Sequence, residues 1–361
     1  MSPNILVTGG AGYIGGSVIA TILSRANGPL KGASIFATVR SEKQLESLAK
    51  IGVKAFVTEL QDKKAVTDVV VDNEIDIIIS TAPSFIPVIT ANLIEALGKR
   101  REIAGIEPYY IHSSVTTLFS EDAGWPYGEV RDSDPGLYEK EKEIMGDHPV
   151  RITSVLLFEE AEKHGVKAFN VVVPQVYGRG TGEGRKLSVN IPAYIRTAIK
   201  TKTVWKFDKD GSPPAAHISD VVELYALIAE KALQKESIPS GKEGYYFAMV
   251  HRSPWWATME KIAQSLYARG LVTEPKAETW PSYEKAAENL GWPSLYIRAM
   301  GTSSGELIPV NGGKIGWQPK WDEKRYLESL DDEVQAVLDL DTGHADLFEV
   351  LLTSDKSSGS T

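Results

Sequence analysis

Short apolar runs alternate with stretches of helical spacing along the chain as far as about residue 175. Asn4–Thr8, Ser34–Val39, Val53–Thr58, Asp76–Ser80, Tyr109–His112 and Phe169–Val173 are near-continuous apolar segments, the pattern of parallel strands covered on both faces. Between them, Tyr13–Arg25, Glu42–Lys50, Lys63–Asp72 and Val88–Lys99 repeat apolar residues at helical intervals. Such alternation predicts an α/β fold with right-handed crossovers and a doubly wound parallel sheet. After Tyr177 the pattern changes. A glycine-rich loop, Gly178–Gly184, leads to helical stretches near 191–200 and 220–234, and Trp255, Trp256, Trp280, Trp292, Trp317 and Trp321 follow. We therefore expect a sheet domain over residues 1–177 and a smaller substrate-binding region over 178–352, its helices partly packed on the first domain. A flexible tail is expected at 353–361. Clustered tryptophans fit a core or a lid more readily than a ligand box.

The first turn carries the strongest chemical signal. Thr8-Gly-Gly-Ala-Gly-Tyr-Ile-Gly15 follows the first strand and opens the first helix. Gly9, Gly12 and Gly15 meet three needs: a tight turn, close backbone approach to a pyrophosphate, and close helix–strand packing. The helix amino end offers free N–H groups to the phosphates. Strand, turn and helix together predict a Rossmann-type dinucleotide site, with Thr8, Gly10, Tyr13 and Ile14 also in contact. The second strand ends at Arg40, where NAD enzymes usually carry an acid for the ribose 2′-hydroxyl. An arginine suits a 2′-phosphate, with Ser41 and Lys43 as further donors, so the expected cofactor is NADP (NADPH).

Composition narrows the partners. In 361 residues there are 39 basic and 48 acidic side chains, a net charge of −9, with 42% hydrophobic residues and no cysteine. The chain can bury a full core, and its acidic balance excludes nucleic acid or an anionic membrane as the main partner. Without cysteine there is neither a disulfide framework nor a Cys-based zinc site, which fits a reducing compartment. Ile5-Leu6-Val7 is too short for a signal-peptide core, and no charge-free apolar run approaches about 18 residues. A cytoplasmic protein with a small-molecule substrate is expected. His112, His217 and His251 are too scattered for a metal site, so none is expected.

Four further segments extend the picture: Ile77-Ile-Ile-Ser-Thr-Ala-Pro83, Tyr110-Ile-His-Ser-Ser114, Val172-Val-Pro-Gln-Val-Tyr-Gly-Arg-Gly180 and Ala216-His-Ile-Ser-Asp220. With the glycine turn, they make the chain resemble an extended short-chain dehydrogenase/reductase of the NAD-dependent epimerase/dehydratase family, over roughly residues 4–235. The resemblance implies adenine contacts at Glu59 and Leu60 and ribose contacts at Thr81 and Ala82. It puts Pro174, Gln175 and Val176 beside the nicotinamide, and Thr116, Tyr177 and His217 near the substrate. Classical relatives often form homodimers through a four-helix interface, which makes a homodimer possible here.

The family's catalytic device is a Ser/Thr after the fifth strand plus Tyr-x-x-x-Lys on the next long helix. The lysine lowers the tyrosine pKa so that its hydroxyl can exchange a proton with the substrate. By position, Val115 replaces the Ser/Thr, flanked by Ser114 and Thr116, while Gly146 and Val150 replace the Tyr and Lys. The sequence does contain Tyr138-Glu-Lys-Glu-Lys142, on a predicted helix over 135–145 capped by Asp134. Pro149 should separate that helix from the next. Two readings follow: a charged surface helix, or a displaced catalytic helix carrying Tyr138 and Lys142, with Ser114 as the accompanying hydroxyl. The first leaves open a non-redox isomerase or cyclase, or a silent dinucleotide sensor. The second implies an oxidoreductase or epimerase/dehydratase.

Overall fold

The structure, a computed structural model, describes residues 2–294, 297–302 and 304–340. The tail expected at 353–361 lies outside them. In chain order the strands are β1 (Asn4–Thr8), β2 (Ser34–Val39), β3 (Lys54–Val57), β4 (Ile77–Ser80), β5 (Tyr109–Val115), β6 (Val130–Arg131) and β7 (Lys167–Val173). They continue with β8 (Gln175–Tyr177), β9 (Trp205–Lys206), β10 (Pro214–His217), β11 (Tyr245–Phe247), β12 (His251–Arg252), β13 (Glu278–Thr279) and β14 (Leu307–Ile308).

Seven strands form one parallel sheet in the order β11-β7-β5-β4-β1-β2-β3. Thr8 lies beside Thr38 on one side and Ser80 on the other. Ser80 lies beside His112, and His112 beside Asn170. The carboxyl ends of these strands therefore share one edge. Strand order reverses between β1 and β4, where a doubly wound sheet opens its ligand crevice.

The helices that build the layers are α1 (Tyr13–Leu23), α2 (Glu42–Ala49), α3 (Lys63–Asp72), α4 (Pro87–Ala104), α5 (Leu137–Glu143), α6 (Pro149–His164), α7 (Asn190–Thr201) and α8 (Ile218–Leu233). One face of the sheet packs Ile5, Val7, Val18 and Ile22 against Val221 and Tyr225, beneath α1 and α8. The other packs Leu6, Ile78 and Tyr110 against Leu93, Leu97, Leu157 and Phe158, beneath α4 and α6. A third core joins Tyr177 and Ile195 to Trp255, Met259, Tyr326 and Val334. Trp280 and Trp292 are buried there and Trp317 in the first core, so these tryptophans are packing residues.

The carboxyl-terminal part returns to the first sheet. Residues 245–247, read from sequence as belonging to the second region, pair in parallel with β7 as the seventh strand. Three residues are too few to show a period. Asp132 holds this outer strand: its carboxylate accepts from the Phe247 N–H at 3.0 Å, the Val310 N–H at 2.8 Å and the Asn311 N–H at 3.0 Å. The chain does break before Pro149, which occupies the first turn of α6, where its missing N–H costs nothing.

Candidate functional site

The crevice begins with the turn after β1. Gly9 sits at φ +69°, and its carbonyl accepts from the Gly12 N–H at 2.8 Å. A Cβ on Gly15 would fall 2.6 Å from Thr81 Oγ1 and collide with the Gly9 carbonyl; one on Gly10 would fall 2.7 Å from Ala37 Cβ. The cradle therefore exists only without side chains. Gly12 caps α1 with no side-chain hydrogen bond, and the first turn holds no acid. Backbone N–H groups of Tyr13, Ile14 and Gly15 stand at that uncapped end, the arrangement that receives a phosphate. Thr8, Thr81 and Ala82 tie the crevice floor together. Thr81 Oγ1 donates to the Thr8 carbonyl at 2.7 Å, and the Ala82 N–H donates to Thr8 Oγ1 at 3.3 Å.

Arg40 lies exposed at the end of β2, and its N–H donates to Gln44 Oε1 at 2.8 Å. Ser41 Oγ accepts from the Gln44 N–H and caps α2, while Lys43 is exposed. Beyond β3, the exposed Glu59 accepts from the Gln61 N–H. Asn92 on α4 fixes this loop, donating to the carbonyls of Leu60 at 3.1 Å and Gln61 at 3.0 Å. Sequence reasoning missed Asn92, whose side chain does its work 32 residues from Leu60 and looks locally like one more helical polar residue.

At the other end of the crevice, consecutive residues of β5 face opposite layers. Ser113 Oγ donates to the Ser80 carbonyl at 2.6 Å and meets the Tyr225 hydroxyl of α8 at 2.6 Å. Ser114 faces the α4–α6 layer, its hydroxyl buried without a partner among the described residues. His112 faces the same way, and burial pushes its pKa down to about 3. Thr116 is buried at the start of a single 3-10 turn. Pro174 joins β7 to β8, where Gln175 is half-buried and Val176 pairs with Ala216.

Tyr177 and His217 end paired strands. The Tyr177 hydroxyl meets His251 Nε2 at 3.0 Å, and its ring packs edge-on against Tyr326 at 4.6 Å. His217 stacks on Trp321 with centroids 3.8 Å apart, and its Nδ1 accepts from the Ser219 N–H. Burial and the Arg325 cation push its pKa down to about 4, so the ring is neutral at pH 7. Sequence reasoning also missed Glu333. Its carboxylate accepts from the Gly178 N–H at 2.6 Å, while the Gly178 carbonyl accepts from the Tyr13 hydroxyl at 2.6 Å.

The displaced pair is elsewhere. The Tyr138 hydroxyl donates to Glu159 Oε1 at 3.0 Å and Lys142 Nζ donates to the same oxygen at 2.6 Å. Lys242, just before β11, lies 5.2 Å from the Tyr138 ring centroid. Since β11 runs parallel to β7, this position is at the amino edge of the sheet, opposite the glycine turn. Glu159 also sits in the second half of α6, which descends to the amino end of β7. The structure does not bring Tyr138 and Lys142 to the crevice; both meet Glu159, and burial and Glu159 raise the tyrosine pKa. The helix starts at Leu137 after Gly136, and Asp134 instead accepts from the Arg131 N–H. No helix among the described residues is long and apolar enough to cross a membrane, and they contain no group of metal-ligating side chains.

Comparison with known proteins agrees with the fold. The chain superposes on UDP-glucose 4-epimerase from Thermotoga maritima with a TM-score of 0.63 at 14% identity, covering 93% of this chain and 99% of that one. It is similar to dTDP-glucose 4,6-dehydratase from Bacillus anthracis in complex with NAD (TM-score 0.61, 15% identity, 94% and 97% covered). Vestitone reductase from alfalfa is also similar (TM-score 0.59, 16% identity, 92% and 98% covered). A comparison of the sequence with curated proteins gives no match. The model of the NAD dependent epimerase/dehydratase family matches residues 5–239, and the chain belongs to that family.

Proposed function

We propose that the protein binds NADP(H) across the β1–β4 crevice and acts on a small organic molecule held between the carboxyl edge and the third core. The observation that carries this reading is the uncapped amino end of α1 inside a turn that leaves no room for a side chain at Gly10, Gly12 or Gly15. Arg40 supports the 2′-phosphate, joined by Lys43 and by the backbone and hydroxyl of Ser41. Glu59 and Leu60 would hold the adenine, Thr81 and Ala82 the ribose, and Pro174, Gln175 and Val176 the nicotinamide. The bound nicotinamide would supply hydride chemistry. Ser114 and Thr116 are the hydroxyls we assign to the reacting end, with Tyr177 shaping the pocket and His217 as a neutral hydrogen-bonding partner.

Reaction type divides two readings. Reduction of a carbonyl and internal redox, as in epimerisation or dehydration, both use the crevice. The position of Tyr138 and Lys142 away from the crevice supports the alternative outside both, a non-redox isomerase or cyclase, or a dinucleotide sensor. Calorimetric titration tests the cofactor: NADPH should bind at least ~10-fold more tightly than NADH, and equal affinities would refute the assignment. Loss of NADPH absorbance during turnover of a verified substrate supports reduction, and turnover without net loss supports the internal or non-redox readings. A homodimer is supported only by the exposed Val88 and Ile103 on α4; light scattering checks it.

A further inference from the structure

On the outer face of the molecule, α1 and α8 leave a groove of about 560 Å³, roofed by the loop after β8 and by residues 316–320. Its walls include Thr21 in the last turn of α1, Ser24 and Arg25 just beyond that helix, and His217 at the start of α8, so it opens at the carboxyl end of α1. The volume is within the usual range for small-molecule sites. Ile218, Val222 and Leu227 give it an apolar floor.

The charges in this groove are unequally committed. Arg25 is bound to Glu223 at 2.8 Å and to Glu230 at 3.2 Å. The Asp220 carboxylate accepts from the N–H groups of Lys320 and Trp321, each at 3.0 Å. The acids lining the groove are thus already engaged. The Arg179 guanidinium and the Lys320 ammonium have no hydrogen-bonded or salt-bridged partner among the described residues, and both line the groove, with Thr181 beside them. An apolar floor below two cations that no described side chain hydrogen-bonds is complementary to an organic anion with a compact apolar body.

We infer that this groove is a second ligand site, separate from the dinucleotide crevice, for a small organic anion whose phosphate or carboxylate is held by Arg179 and Lys320. The inference stands without the proposed reaction. Phenyl phosphate and benzoate, which share one apolar body, are the probes, titrated calorimetrically against the whole protein with and without saturating NADPH. Saturable binding that persists with NADPH and weakens roughly tenfold or more in the Arg179→Gln, Lys320→Gln double variant is the expected result. Tighter binding of phenyl phosphate identifies a phosphate site, and equal or tighter binding of benzoate a carboxylate site. Both side chains are exposed, so thermal unfolding of the variant should match wild type. Displacement of the probe by NADPH, undiminished binding in the double variant, or failure of both probes to saturate overturns the inference.

Discussion

At the residue scale, two side chains decide separate questions. Arg40 stands where an acid would read a ribose 2′-hydroxyl. Arg40→Asp should reverse or erase a preference for NADPH, by ~1.5–3 kcal/mol or roughly ten- to hundredfold in affinity, as read by calorimetry with both cofactors. Glu141 is a different case. It is fully buried on α5 and accepts from the Tyr245 hydroxyl at 2.6 Å and Ser154 Oγ at 2.9 Å. Burial nevertheless outweighs these bonds and the Arg151 charge, lifting its pKa from 4.5 to about 7. The native state then holds the proton more tightly than the unfolded chain does. This contribution to stability is complete below pH 4.5 and is lost as pH rises through about 7. Glu141→Gln keeps the acceptor and removes the titration. Its stability relative to wild type should rise by roughly 3 kcal/mol between pH 4.5 and 8, measured by denaturant unfolding across that range. A flat difference would show that Glu141 is not the titrating group.

At the scale of elements, α5 separates what sequence can say from what it cannot. Pro149 is a local signal and places the start of α6 correctly, while α5 ends at Glu143, short of the predicted Gly146 stop. Which side of the sheet that helix joins depends on contacts with Glu159 and Lys242, and no local pattern encodes them. The same division runs through the whole fold. Apolar runs marked β1 and β2 to the residue because buried parallel strands need continuous apolar sequence. The three-residue β11 left no mark, since the Asp132 bonds that seat it come from another part of the chain. In the site, the glycine turn was legible because its glycine spacing lies within eight residues, directly after a continuous apolar strand. Asn92 and Glu333 were not, because each serves a loop distant in sequence. The position of α5 makes a direct prediction. Tyr138→Phe should cost about 0.5–1.5 kcal/mol of stability through the lost Glu159 bond and leave NADPH affinity and turnover within about twofold. A hundredfold fall in turnover with intact folding would return Tyr138 to the reaction.

At the scale of the whole molecule, the helix Leu330–Leu340 reaches back to the glycine turn through one residue, Gly178. Gly178 sits at φ +92°, with the His217 imidazole occupying the space a Cβ would need. Its N–H is held by Glu333 from that terminal helix, and its carbonyl by Tyr13 from the first turn of α1. The loop that follows lies on the glycine turn: the Thr181 N–H donates to Ser17 Oγ at 3.1 Å and the Arg185 N–H to the Ala11 carbonyl at 3.0 Å. The two ends of the described chain therefore meet around the glycine turn. Glu333→Ala should leave the Gly178 N–H buried without its acceptor, costing about 1–3 kcal/mol. Because the Gly178 carbonyl also positions the Tyr13 hydroxyl, NADPH affinity should fall with stability. Glu333→Gln, which retains an acceptor oxygen, should preserve most of both. Thermal unfolding and calorimetry on the two variants separate the outcomes: if alanine lowers the melting temperature but NADPH binds as in wild type, the terminal helix only stabilises the fold. If glutamine rescues affinity as well as stability, the carboxyl-terminal helix is part of the cofactor site.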